Sequence, residues 1–300
     1  MPLSPAARAD LLLLLVTLIA AAGWIFSKEA LLEMPPLLFI GVRFLLAGLI
    51  LLIPGYRGCL KLLQQRQIVP VLGLGVLMTG ALLCWIMGLY QGHHLGEGAF
   101  ITSMGVVLVP VMAWLVYRER AQLSTWLSLP VAIAGLGLLS LEGGISLAAG
   151  QFWFLGAALL FSVHFVLVSR MALVVPSLIL TAIQLLIVGV GGIAVSAWLE
   201  AWPDSLSPTT ISWLLASALI ATSLRFALQT YAQSLASASH VALIMTLEPV
   251  WAALLGAIIY AEVMSPLQLG GCSLIFMAML VSRWRWLKPL FRVSLLSARR

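Results

Sequence analysis

Three charged side chains stand in stretches that are otherwise almost wholly apolar: Arg43 in FIGVRFLLAG, Arg225 in SLRFALQ and Glu248 in MTLEPVWAA. With lipid as solvent, such a group costs about 2.5–3.5 kcal/mol on insertion scales, so it faces a cavity or a partner. Arg225 and Glu248 have opposite charge, and the chemistry open to them is reversible pairing. A substrate carboxylate, an ammonium group or a proton competes for one member and breaks the pair. The alternative is a permanent ion pair that only fixes helix packing. Gln229 follows Arg225 by one helical turn and shares its face. Arg43 lies near the start of its apolar run, where its long side chain either snorkels to the interface, caps backbone or orients a pore.

Polar and aromatic residues within the apolar runs form the candidate substrate lining: Trp24, Trp85, Tyr90, Thr102, Ser103, His164, Gln184, Gln229, Tyr231 and Thr246. His164 fits a satisfied core histidine, a donor to substrate or a proton relay. Pro249 removes an amide donor beside Glu248 and releases the carbonyl of Met245, and Pro110 does the same for Val106. Each kink is either a site marker or plain packing. Tyr117, Trp153, Trp198, Trp202, Trp284 and Trp286 suit the aromatic belts at the two interfaces.

Other chemistry finds little support. His93-His94-x-x-Glu97 reads as a solvated turn rather than a metal site. Cys59, Cys84 and Cys272 are odd in number and lack ligand spacing, so neither a disulfide framework nor zinc is expected. There is no phosphate-binding G-x-x-x-x-G-K-[ST] loop, no G-x-S-x-G and no H-E-x-x-H. We expect no enzyme, no cofactor and no ATP motor, so that energy comes from a gradient or transport is facilitative.

These residues must be positioned by membrane helices. Of 300 residues 62% are hydrophobic and 9% charged, with a mean hydropathy of +1.12, against roughly 25% charged in a soluble domain. Apolar stretches of about 18 residues or more cross a hydrocarbon core as helices, and they lack the alternation a barrel needs. The fold class expected is all-α membrane, with ten spans at about 10–31, 37–54, 68–90, 97–117, 124–141, 151–171, 177–199, 209–231, 240–260 and 266–287. The first run lacks a cleavage site and reads as a retained span. Linkers are short throughout, which favours one bundle.

Charge sets the orientation. Of 16 Lys and Arg, all but Lys28, Arg43 and Arg225 fall on one side when linkers are read alternately: Arg8, Arg57, Lys61, Arg66, Arg118, Arg120, Arg170 and the run from Arg283 to Arg300. By the positive-inside rule both termini are cytoplasmic, and Glu29, Glu33, Glu97, Glu142, Glu200, Asp204 and Glu262 lie at the outer side. The net charge of +6 follows from this topology and does not call for nucleic acid. A multi-pass protein of a bacterial-type inner membrane is expected.

The chain also repeats itself. Laying residues 99–141 over 242–284 matches Ala99 with Ala242, Ile101 with Ile244, Val107 with Val250, Tyr117 with Tyr260 and Glu119 with Glu262. Five spans per half is odd, so the halves, 1–145 and 146–300, enter the membrane in opposite senses. Inverted repeats place a site near the midplane that opens to either side, which is the symmetry of alternating access.

The segments GWIFSKEALLEMPPLLFIGVRFLLAG, AFITSMGVVLVPVMAWLVYRER and LRFALQTYAQSLASASHVALIMTLEPVWAALLGAIIYAE resemble the EamA-type drug/metabolite transporter family. The likeness is specific at Pro36 with Arg43 and at Glu248-Pro249 with Glu262, and spans nearly the whole chain. It implies a ten-helix, two-repeat transporter, often an exporter of amino acids or related metabolites. One departure is asymmetric: Gly105-Val106 stands where the second half has Glu248-Pro249. The function expected is therefore secondary transport of a small polar metabolite, with a proton or another ion as coupling partner and a monomer sufficient for the pathway. The alternatives are efflux of bulky cations, which wants a carboxylate in an aromatic cavity, and, more remotely, a membrane enzyme or scaffold. Trp24, Trp85, His164, Arg225, Gln229, Tyr231, Thr246 and Glu248 are the expected substrate residues; Arg43, Pro110 and Pro249 are expected to gate or to shape the helices.

Overall fold

A computed structural model describes residues 5–64, 68–92, 95–118, 123–140, 149–172, 174–235 and 244–282. His93, His94, Glu119, Arg120, Glu142, Arg66, the basic run from Arg283, Trp284, Trp286 and the junction between the two expected halves lie outside them. The described residues are all helix and connection: α1 Pro5–Ala30, α2 Pro36–Gln64, α3 Ile68–Gln91, α4 Leu95–Tyr117, α5 Leu123–Ser140, α6 Ala149–Met171, α7 Ser177–Leu199, α8 Pro208–Ala218, a π-helical segment Leu219–Leu224, α9 Arg225–Leu235, α10 Glu248–Tyr260 and α11 Pro266–Ser282. Among these, 7 helices are long and apolar enough to cross a membrane, the seventh being the continuous Pro208–Gln229 stretch. Trp126–Gly135, Glu248–Tyr260 and Pro266–Val281 are apolar but shorter.

The helices pack as one bundle around a shared core that includes Trp24, Phe39, Phe44, Trp85, Phe100 and Phe154. The strongest pairings are α2 with α7, α5 with α11, α3 with α6 and α4 with α6. The α2–α7 approach depends on glycine: a Cβ added at Gly41 would lie 2.5 Å from the Ile193 nitrogen, and one at Gly189 would lie 2.4 Å from the Leu45 nitrogen. Without a hydrophobic force between helices in lipid, such close backbone contact supplies the dispersion and dipole energy that holds them.

One end of the bundle is tied by carboxylates. Glu200, just past α7, accepts from the first amides of α2, Leu37 and Leu38, each at 2.9 Å. Glu33 accepts from the amide of Ser207, the N-cap of α8, at 3.0 Å; that backbone bond, with the hydroxyls of Ser207 and Thr210, holds its carboxyl below the usual range. Glu262 follows Ala261, whose left-handed backbone (φ 50°) turns the chain at the end of α10. It meets Lys28 at 2.9 Å and the Leu95 amide at 3.1 Å. The Tyr260 hydroxyl donates to Glu29 at 2.6 Å, and Gln151 donates to Glu97. Glu200, Glu33 and Glu262 thereby satisfy donors that a helix start leaves bare.

Replacing Gly189 by Leu should therefore lower the melting temperature of the purified protein by the equivalent of about 1–3 kcal/mol or more, the cost of overpacking. The control Gly73→Leu, at a position with nothing within 4 Å of an added Cβ, should leave it nearly unchanged.

Candidate functional site

The site starts at two places where helix geometry is broken and at a proline inside a continuous helix. The first is the π-helical turn. Thr222 and Ser223 donate their hydroxyls to the carbonyls five residues back, Ser217 at 3.0 Å and Ala218 at 2.9 Å, and the ladder widens between α8 and α9. Such bulges recur at functional positions. The second is at Pro249. The sequence predicts a kinked helix; instead, α10 begins at Glu248, with Leu247 as its N-cap and Pro249 in its first turn. Pro is tolerated there because that amide needs no partner, and a carboxylate at the first position is stabilised by the helix dipole. The third is Pro110, inside α4; its predecessor Val109 lines the cavity, while Pro110 does not.

Between these elements lies a cavity of about 310 Å³, at the lower end of the roughly 300–1,000 Å³ usual for small-molecule sites. It runs from Trp24 and Trp85, below the tied end, to Val168 in the last turns of α6. Trp24 meets Trp85 edge-on at 5.0 Å between centroids and Phe154 at 5.8 Å, so aromatic rings close the cavity toward the tied end. Both tryptophans are buried, as their depth in the sequence implies, whereas Trp198 and Trp202 are exposed.

Arg225 and Glu248 do meet, at 3.4 Å, longer than the 2.7–2.9 Å of a tight charge-assisted bond. The other carboxylate oxygen of Glu248 accepts from the Trp24 indole at 3.2 Å. Arg225 keeps its Nε buried without a hydrogen-bond partner among the described residues, as do Gln229 at Oε1 and Thr102 at Oγ1. All line the cavity. The pair is therefore weakly engaged, and donors and acceptors beside it are free for a ligand.

Of the alternatives open to it, Arg43 does not adopt snorkelling to the interface. It is 5% exposed and turned inward, donating from Nε to Thr222 Oγ1 at 2.7 Å and from Nη1 to Ser27 Oγ at 2.8 Å. Ser27 gives its own proton to the Gly23 carbonyl at 2.6 Å, and Thr222 gives its proton to Ser217. Both hydroxyls can thus only accept from the guanidinium. The bulge was invisible in a continuous apolar sequence; its one signal was the run Thr222-Ser223 beside an intramembrane charge.

His164 Nε2 lies 2.5 Å from Gln184 Oε1, and Gln184 Nε2 donates to the Leu180 carbonyl at 3.0 Å. That second bond fixes the amide, so Nε2 of the histidine is the donor. Of the other expected lining residues, Ser103 and Gln184 face the cavity. Tyr90, Tyr231 and Thr246 lie outside its lining: the tyrosines are 57% and 48% exposed and Thr246 is buried elsewhere. Residues the sequence did not single out complete it, among them Gly23, Phe161, Phe165 and Phe226. Among the described residues no group of three or more His, Cys, Asp or Glu could hold a metal ion.

A multi-pass helical bundle with a charged, aromatic-capped cavity at its broken helices has the architecture of a membrane carrier. The profile of the EamA-like transporter family matches residues 7–141 and again 148–284, and the chain belongs to that family. It is 29% identical over 273 residues to an uncharacterized transporter of Archaeoglobus fulgidus, covering 91% of this chain and 85% of that one. It is 28% identical over 202 residues to the uncharacterized transporter YvbV of Bacillus subtilis, covering 66% of each. A solved crystal structure shares the fold with a TM-score of 0.64 at 20% identity, over 91% of this chain and 96% of its own.

Removing both hydroxyls that hold Arg43, in Ser27→Ala with Thr222→Val, leaves a buried guanidinium without partners. Each lost bond to a charged group should cost about 1.5–3 kcal/mol, read as a lower melting temperature. The single variants should each show part of that loss.

Proposed function

We propose that the protein is a secondary transporter that exports amino acids or similar small zwitterionic metabolites across a bacterial-type inner membrane by alternating access. The observation that carries this reading is the loose Arg225–Glu248 pair in a cavity at the start of α10. An α-amino acid offers a carboxylate to one member and an ammonium group to the other, so binding replaces a long ion pair with two new ones.

The mechanism rests on ten spans in two inverted repeats, 1–145 and 146–300, with both termini cytoplasmic. Two observations support it. The family profile matches twice, once in each half. The strongest helix pairings among the described residues also survive exchange of each span with the one five places on: α2/α7, α5/α11 and α4/α10 map onto themselves, while α3/α6 maps onto α1/α9 and α4/α6 onto α1/α10. Such symmetry lets one packing arrangement close either end. In the present arrangement the carboxylate-tied end is closed by Lys28, Glu262 and the aromatic cluster, and under the proposed topology this is the outer face. Rocking the repeats breaks those ties and closes the other end. Glu248 is positioned for a proton to compete with Arg225, which would couple flux to a proton gradient. One bundle encloses the cavity, so a monomer suffices.

Efflux of bulky cations is the second reading, favoured by the contact of Glu248 with Trp24. The two guanidiniums in the same cavity oppose it, since like charges disfavour cation entry. Proteoliposomes holding the purified protein should move at least one labelled amino acid above empty vesicles and fail to move tetraphenylphosphonium. Glu248→Gln should cut the amino acid flux about tenfold or more, by removal of one desolvated charge contact. Cation flux without amino acid flux would favour the second reading instead.

A further inference from the structure

Arg225 and Glu248 balance each other, but Arg43 has no counter-charge among the described residues. It lines the same cavity, is 5% exposed, and its hydrogen-bond partners there are two hydroxyls rather than a carboxylate. Those bonds occupy Nε and Nη1. Nη2 is left toward the α1 wall, 3.7 Å from where a Cβ on Gly23 would stand, and Gly23 itself lines the cavity. Enlarging that residue would also strike Ala221, at 2.8 Å. Ala221 lies one turn before Arg225 on the widened helix, and both face the cavity. Trp24, the neighbour of Gly23, is the residue that holds Glu248. The two guanidiniums and the carboxylate therefore converge on one stretch of α1.

We infer, resting on the amino acid reading of this same cavity, that Arg43 is a second carboxylate receptor and that the preferred substrate is an acidic amino acid. Its charges complement the lining group for group: two carboxylates for Arg43 and Arg225, one ammonium for Glu248. A neutral amino acid leaves one buried guanidinium without a counter-charge, a dicarboxylate without nitrogen leaves Glu248 facing only Arg225, and a basic amino acid adds a cation to a cavity already positive. The unpaired Arg225 Nε and Gln229 Oε1 supply one further donor and one acceptor for such a ligand. The cost of leaving a desolvated charge unmatched makes the discrimination steep.

Isothermal titration and thermal shift of the detergent-purified full chain test this with glutamate, aspartate, glutamine, asparagine, glutarate, lysine and tetraphenylphosphonium. Glutamate or aspartate should bind at least about tenfold more tightly than its own amide, and glutamate more tightly than glutarate. Arg43→Gln should bring glutamate affinity down to or below that of glutamine, whereas Arg43→Lys, which keeps the charge, should retain part of the preference for acid over amide; a cooperative melting transition in each shows that the variant folds. Glutamine binding as well as glutamate would overturn the role of Arg43 while leaving amino acid transport intact. Binding of tetraphenylphosphonium with no amino acid in the panel would overturn both.

Discussion

One guanidinium, buried but for its edge on the cavity, sets the bonding of the elements around it. A buried guanidinium left unbonded is costly, and neighbouring elements supply acceptors to Arg43: Ser27 from α1 and Thr222 from the π-helical turn. Thr222 lies in the turn where the helix widens, and Arg225 and Gln229, which follow that turn, line the cavity wall. Arg225 in turn draws Glu248 to the start of α10, where the helix dipole and the Trp24 indole also favour a carboxylate. A chain of local satisfactions thus lines the cavity with groups that individually disfavour the membrane.

The opposite requirement operates at the tied end. There, helix starts expose amides, and carboxylates from other helices answer them: Glu200 on α2, Glu33 on the N-cap of α8, Glu262 on α4. These are cross-links between elements that must separate if that end is to open. They are also exchangeable, since each amide can be hydrated when water enters. Stability of the closed end and its ability to open are therefore set by the same bonds.

The sequence made the helices legible because lipid imposes a simple rule on composition, and Arg225, Glu248, Trp24, Trp85, His164 and Gln229 were visible as polar or aromatic groups that rule does not explain. What it hid depends on backbone hydrogen-bond register. The π turn has no signature in an apolar run, so the hydroxyl that it offers Arg43 was not foreseen. The break at Glu248 read as a kink because proline signals an interruption without saying whether a helix bends or starts afresh. Tyr231 and Thr246 sat within apolar runs like the others, but the rotation of α9 leaves Tyr231 away from the cavity and Thr246 falls in the turn before α10, features set by packing rather than by hydropathy. Glu200 and Glu33 read only as outer charges, because a cap is a contact between distant segments.

Rocking of the two halves about this cavity is tested most directly by measuring two distances at once. Spin labels at Leu32 and Val263, both exposed at the tied end, report on that end; labels at Leu123 and Val174, exposed at the other, report on its counterpart. In a background with Cys59, Cys84 and Cys272 replaced, a transported amino acid at saturation should populate longer Leu32–Val263 distances and shorter Leu123–Val174 distances together. Unchanged distances at both ends, or ends that open together, in labelled protein that still transports would contradict alternating access.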